Sequence, residues 1–295
     1  MRTHTLVPAL ALLLAGFLNM NPVFASSGNK PNRSDNDITA IGHRNIGGGK
    51  GLGNWYSLDQ ENAIGKHLSA EVEKSSKLLD DPAITEYVTR IAENISKNSD
   101  AQIPITVRLI DSEHVEAFTL PGGSQYITRG LLLQLENENE LASVLARGIA
   151  HTALRSSTRL MTHEQYANIG AVPLIFTGDP RLSSDNSRFG IPMMMLKFRR
   201  GYEAAADYFG VQYVYKAGYS TEGFPKIVQK IWPATTKAEP LSLFPPTSER
   251  LQALQKEITE LLPKRDGEII STPEFQEFSQ RLRSWKSSES VEISK

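Results

Sequence analysis

The sequence predicts an α+β fold dominated by helices. Three observations carry that expectation: two helical periodicities open the ordered part of the chain, a cluster of short β-rich segments follows, and several more helical periodicities come after it. No internal repeat is evident along the 295 residues. The first helix is expected at Ser57, where Ser57-Leu58-Asp59-Gln60 has capping-box spacing and Ile64, Leu68, Val72 and Leu79 recur at helical intervals. Asp81-Pro82 opens a second helix, which carries Ile84, Tyr87, Val88, Ile91 and Ile95. Ile103 to Ile110 alternates as a strand. Two shorter strands, Ala117 to Leu120 and Ser124 to Thr128, are joined by a turn at Pro121-Gly122-Gly123.

Helical periodicity returns after Gly130 and is strongest from Glu138 to Ser156, through Leu141, Val144, Leu145, Ile149, His151 and Leu154. A loop-rich middle contains Gly178, Pro180, Ser183 and Ser184. Helices are then expected from Pro192 to Ala217 and from Thr221 to Trp232. Another follows Pro245-Pro246 with Arg250, Leu254 and Ile258. A last one follows Thr272-Pro273, with Phe275, Phe278 and Leu282 on one side.

Residues 1–25 read as a secretory signal. Arg2 and His4 give a basic start, Leu6 to Leu18 an apolar stretch too short for a membrane span, and Val23-Phe24-Ala25 a cleavage site before Ser26. The chain has no cysteine, so an exported product stands on its core without disulfides. Residues 26–55, rich in Ser, Asn and Gly, are expected to form a flexible lead-in. The main domain is expected over residues 56–235, with a helical segment at 236–295 packed on it. Lysine plus arginine (32) nearly balance aspartate plus glutamate (33), which leaves no electrostatic case for nucleic acid as partner. No other stretch promises a stable membrane span. The expected location is periplasmic or extracellular, soluble after signal cleavage.

The segment that draws attention to chemistry is Ala146-Arg147-Gly148-Ile149-Ala150-His151. A zinc peptidase commonly carries His-Glu-x-x-His on a helix: residues four apart face one way, both imidazoles reach one ion, and the intervening glutamate serves as base. Here only the trailing histidine exists. Taken alone, His151 reads as a core or surface histidine.

Its surroundings change that reading. Glu116 to Gly123, then Ile127-Thr128-Arg129-Gly130-Leu131, then Glu138-Asn139-Glu140-Leu141-Ala142, resemble the gluzincin metallopeptidases that include HtpX and the CAAX prenyl protease, especially their soluble periplasmic branch. Tyr202 to Asp207, Gly210, Ala217-Gly218-Tyr219, and Phe244-Pro245-Pro246 with Arg250 continue the likeness over roughly residues 56–285.

The resemblance implies a mostly helical metallopeptidase-like domain with a small sheet. Carried over residue by residue, it puts the first histidine ligand on Arg147, the general base on Gly148, the glutamate ligand on Ala205 and a further histidine on Phe244. His151 remains as the sole expected ligand and Asp207 as its outer support. Glu203, two residues from Ala205, is expected on a different helix face. No metal is therefore expected, although zinc is the family's cofactor. Arg147 is a candidate to replace the metal's charge by pairing with Asp207 or Glu203; the other reading has it reach solvent through the cleft. The family's peptide-lining strand falls on Phe118, Leu120, Gly122, Gly123 and Ile127. The resulting expectation is an inactive pseudopeptidase whose partners are extended polypeptides or an active relative. The alternatives are an active zinc endopeptidase with substituted ligands, or a scaffold with a filled cleft.

Overall fold

The computed structural model describes residues 37–165, 193–231 and 247–285, with side chains of the helix that begins at Met193 described from Arg200 onward. Its helices are α1 (Leu58–Ser75), α2 (Pro82–Lys97), α3 (Arg129–Leu133), α4 (Glu138–Ala153), α5 (Met193–Lys216), α6 (Gly223–Ile231), α7 (Thr247–Glu260) and α8 (Pro273–Ser284). Residues 156–165 are also helical. Three strands, β1 (Thr106–Ile110), β2 (Ala117–Thr119) and β3 (Ser124–Thr128), form a sheet of order β1-β3-β2. This is the helix-dominated α+β fold expected. The loop-rich middle, Trp232 and the Pro245-Pro246 pair lie outside the described residues. Among the described residues, no helix is long and apolar enough to cross a membrane.

Local chemistry sets the helix starts. Ser57 and Gln60 form a reciprocal capping box, Asp81 accepts from the N–H groups of Ala83 and Ile84, and Thr272 accepts from Phe275. α2 then buries Ile84, Tyr87, Val88, Ile91 and Ile95 on one face. β1 starts at Thr106, later than the apolar run suggests, and runs parallel to β3 with Thr106 opposite Ser124. β2 runs antiparallel to β3 on the other side, with Phe118 opposite Tyr126. The sheet is therefore open along β2.

α4 is the axis of the molecule. Fifteen of its sixteen residues are buried, and the exception is His151. Around it, side chains of α2, the sheet, α5, α6, α7 and α8 join a single apolar cluster. α8 belongs to that cluster through Phe275, Phe278 and Leu282, with Phe278 stacked on Tyr87 at 4.8 Å. Glu138, at the head of α4, accepts from the hydroxyls of Tyr87, Tyr219 and Thr272 and so ties the ends of three other segments to the axis.

Two expectations need correction. The helix from Glu138 does not continue to Ser156: it stops at Ala153, and Arg155 takes a left-handed φ of 54° before helix resumes. The Arg155 side chain meets buried Glu61 at 2.8 Å and donates to the carbonyls of Gly48 and Tyr56. That set of partners holds an otherwise unfavourable backbone.

The lead-in is also not loose from residue 37 to 54. Ile41 is in the core, Arg44 pairs with Asp100 at 2.6 Å and donates to Gln212, and Asn54 donates to Thr158. Glycine there serves close approach: a Cβ on Gly47 would lie 2.4 Å from the carbonyl oxygen of Ala153.

The Arg44 network ends on a carboxyl with a consequence for stability. Glu257 of α7, 5% exposed, accepts from Gln212 at 2.9 Å. Burial, together with the nearby charge of Asp207, pushes it well above the usual carboxylate range, against the opposing pull of Arg44. The folded chain thus holds a proton that the unfolded chain releases, and its stability falls as pH rises from the ordinary glutamate range toward the raised value. Glu257→Gln keeps the acceptor and removes the titration. It should raise the melting temperature more at about pH 8 than at about pH 5; equal shifts at both would contradict the assignment.

Candidate functional site

α4 and α5 pack side by side and each contributes residues one turn apart. Arg147 and His151 face the same way from α4, and Glu203 and Asp207 face them from α5. Arg147 Nε donates to Asp207 Oδ1 at 3.3 Å, and its Nη2 donates to Glu203 Oε2. Asp207 also receives a two-pronged contact from Arg250 of α7, at 2.6 Å from Nε and 2.9 Å from Nη2. The sequence raised a pairing of Arg147 with Asp207 or Glu203; in the structure Arg147 contacts both.

His151 completes the group. Its Nε2 lies 3.6 Å from Glu203 Oε2, and its Nδ1 lies 3.0 Å from Ser156 Oγ. Ser156 Oγ donates its one proton to the carbonyl of His151 at 2.9 Å. Burial, then the charges of Arg147 and Arg250, hold the imidazole well below its usual pKa, so it is neutral at pH 7. Burial also pulls Arg147 down to about 10, against the raising effect of Asp207, and it stays charged near neutrality.

Arg147, His151, Ser156 and Glu203 line a cleft of about 630 Å³ whose other wall is the open edge of the sheet, Ala117 to Thr119. Leu120 N–H donates to Ser124 and Thr128 N–H to Glu116, so the even-numbered residues of this edge pair with β3. Alternation then turns the backbone N–H and C=O of Ala117 and Thr119 toward the cleft. At its floor is Gly148. A Cβ there would lie 2.7 Å from Gln125 Cδ and 2.8 Å from Thr119 Oγ1, because the Gln125 amide leans over the position and donates to Leu145.

The family model for peptidase family M48 matches residues 81–258, from the start of α2 into α7. The chain belongs to that family. Among known M48 relatives, it is 26% identical over 193 residues to a beta-barrel assembly-enhancing protease of Yersinia pestis and 25% identical over 193 residues to that of Escherichia coli K12. In each case 62% of this chain and 40% of the relative are covered, so it spans about two fifths of their length. It is also 25% identical over 226 residues to the mitochondrial metalloendopeptidase OMA1 of Schizosaccharomyces pombe, covering 72% of this chain and 65% of that one.

Against the zinc site of a metallopeptidase, the described residues of this M48 chain do not fit. A catalytic zinc takes three protein ligands and a water. Here two donors, His151 Nε2 and Glu203 Oε2, converge, and a guanidinium lies against the second. Among the described residues no group of three His, Cys, Asp or Glu side chains could hold a metal.

One expected position is corrected by the fold. Ala205 is 3% exposed in the core, while Glu203, expected on a different face, is the residue that reaches the cleft. The readable signal was its four-residue spacing from Asp207. Phe244 lies outside the described residues. Of the expected peptide-lining residues, Phe118 and Ile127 border the cleft. Gly122 and Gly123 are spent on the turn, at φ 77° and 82°, packed on α1 and Pro104, and Leu120 leads into that turn. Gln125 and Ser156 went unnoticed, since each acts through a partner that neither periodicity nor a motif marks.

Two measurements check this geometry. Arg147→Ala leaves buried acidic groups short of a counter-charge and should cost about 3 kcal/mol, seen as a melting temperature several degrees lower; an unchanged melt would mean the pairing contributes nothing. Gly148→Glu should also lower the melting temperature by overpacking against Gln125. Gln125→Ala in the same chain should recover part of that loss, and no recovery would show that Gln125 is not the obstacle.

Proposed function

We propose that this chain is an exported pseudopeptidase, an M48 fold that binds extended polypeptides in its cleft without hydrolysing them. The observation that carries the proposal is the guanidinium of Arg147, seated against Glu203 and Asp207 beside a helix position, Gly148, that supplies no base. Peptide hydrolysis on this fold needs an activated water; a neutral imidazole next to a fixed cation does not produce one. Export rests on the amino-terminal signal pattern, residues 1–25.

Binding rests on a different feature. The edge of β2 offers the N–H and C=O groups of Ala117 and Thr119 to an incoming strand, and the cleft leaves room for one. The relatives named for β-barrel assembly direct the choice of ligand toward unfolded, strand-prone envelope polypeptides. The space of about 630 Å³ bounded by the described residues supports this reading over a scaffold with a filled cleft.

The test is fluorescence-anisotropy binding of unfolded outer-membrane-type polypeptides to the purified chain, with cleavage followed by mass spectrometry. Saturable binding with intact peptide is expected. Ala117→Pro removes an N–H that faces the cleft rather than β3 and should weaken binding about tenfold or more. Zinc-dependent cleavage would establish an active peptidase with substituted ligands, and absence of binding would leave the scaffold role.

A further inference from the structure

α1 is unusual for a helix of its length. Among the described residues, no side chain of α1 joins the apolar core or packs against it. Of its 18 residues only Glu61 and Gly65 are buried. A helix in a globular protein ordinarily holds its place through an apolar face. Here the two buried positions, one helical turn apart, each meet a different wall of the cleft.

Glu61 holds the helical wall. Its Oε2 accepts from Arg155 Nε at 2.8 Å and from Thr158 Oγ1 at 2.9 Å. Arg155 and Thr158 sit at the head of the helical stretch 156–165, whose Ser156, Ser157 and Leu160 line the cleft. Gly65 meets the sheet wall. A Cβ on it would lie 1.9 Å from the carbonyl oxygen of Pro121, in the turn that joins β2 to β3. Glycine is disfavoured in a helix interior, so its place at 65 marks an approach that only a bare Cα allows. Further along α1, Glu73 accepts from the Tyr126 hydroxyl of β3 at 3.1 Å.

We infer that α1 is a strut that sets the separation of the two cleft walls, and that Glu61 and Gly65 are positioning residues for the bound polypeptide. The inference rests on the reading above, that the cleft takes extended chains. An incoming strand has to reach the β2 edge within hydrogen-bond distance while its other side clears Ser157 and Leu160. The separation of the walls therefore decides how well its backbone pairs. No residue of α1 lines the cleft among the described residues, so α1 acts on the ligand only through the walls it holds.

The experiment uses the full chain, Gly65→Ala, Glu61→Ala, and Phe275→Leu as a control in the core near α8. The chain has no cysteine, so Glu116→Cys and Met161→Cys place one spin label beside each wall, and their distance is read by double electron–electron resonance. Affinity for an unfolded outer-membrane-type polypeptide is read by anisotropy in the unlabelled chains, below every melting temperature. G65A should shift the label distance, because the Pro121 turn has to move, and E61A should broaden its distribution. Each should bind about tenfold more weakly, as expected when one or two backbone hydrogen bonds are misaligned. F275L should melt lower with the native distance and the native affinity. Should E61A or G65A fold poorly, Glu61→Gln, which leaves Arg155 a neutral partner, should show the broadening to a smaller extent. Native distances in the variants that fold overturn the inference, and so does a loss of affinity no larger than that of F275L. If the native chain binds no polypeptide, the binding reading fails by itself, and the label distances still decide whether α1 sets the walls.

Discussion

The arrangement of the cleft depends on one buried carboxylate. Asp207 sits on α5, takes the fork of Arg250 from α7, and shares its remaining capacity with Arg147 from α4. Removing a lone carboxylate from water costs several kcal/mol, and only well-placed cations offset it. The offset here comes from two different helices, so satisfying one charge fixes three helices relative to one another. Fifteen of the sixteen residues of α4 are buried, and its register against α5 decides what faces the cleft. Arg147 and His151 reach Glu203 because that register is held. Ala205, two residues away, is held in the core by the same constraint.

Much of the fold was readable from local chemistry. Ser57, Asp81 and Thr272 announce helix starts because a capping oxygen and its N–H partner are a few residues apart, within reach of sequence inspection. What escaped inspection depends on partners far along the chain. Residues 37–54 look flexible by composition, yet Arg44 finds Asp100 and Gln212, separated from it by 56 and 168 positions. Composition reports how freely a segment could move, and carries no record of which distant group will hold it. The break at Arg155 is of the same kind, since its left-handed backbone is held by Glu61, Gly48 and Tyr56 rather than by anything adjacent.

The site was legible in part, and for a related reason. The absence of a histidine and a base at positions 147 and 148 is visible in the residue names alone. The direction of Glu203 is not, because a family motif gives a residue order while the helix face is set by packing against α4. A spacing of four between Glu203 and Asp207, read with the two cationic candidates Arg147 and Arg250, would have pointed to the same face. Gln125 could not have been inferred at all. Its role is to occupy volume left by a missing Cβ on another element, and volume has no signature in sequence.

The charge balance of the site bears on how it recognises anything. At the inner wall of the cleft the charge of Arg147 is answered by Glu203, with Asp207 and Arg250 paired behind it and His151 neutral, so this part of the wall presents little net charge. A ligand drawn by long-range attraction would gain little from such a wall, and salt would change its affinity little. What the cleft offers instead is the open backbone of β2 at Ala117 and Thr119, flanked by the Phe118 ring stacked on Tyr126 at 5.1 Å. Backbone hydrogen bonds are the same for every residue type, so an edge of this kind favours extended chains over particular sequences. A neutral inner wall and an open strand edge thus fit the proposed role of holding many unfolded polypeptides. Hydrolysis of a chosen bond would require the opposite: a strong, localised field at one point of the cleft. Arg147, with its charge already answered by two carboxylates, does not provide it.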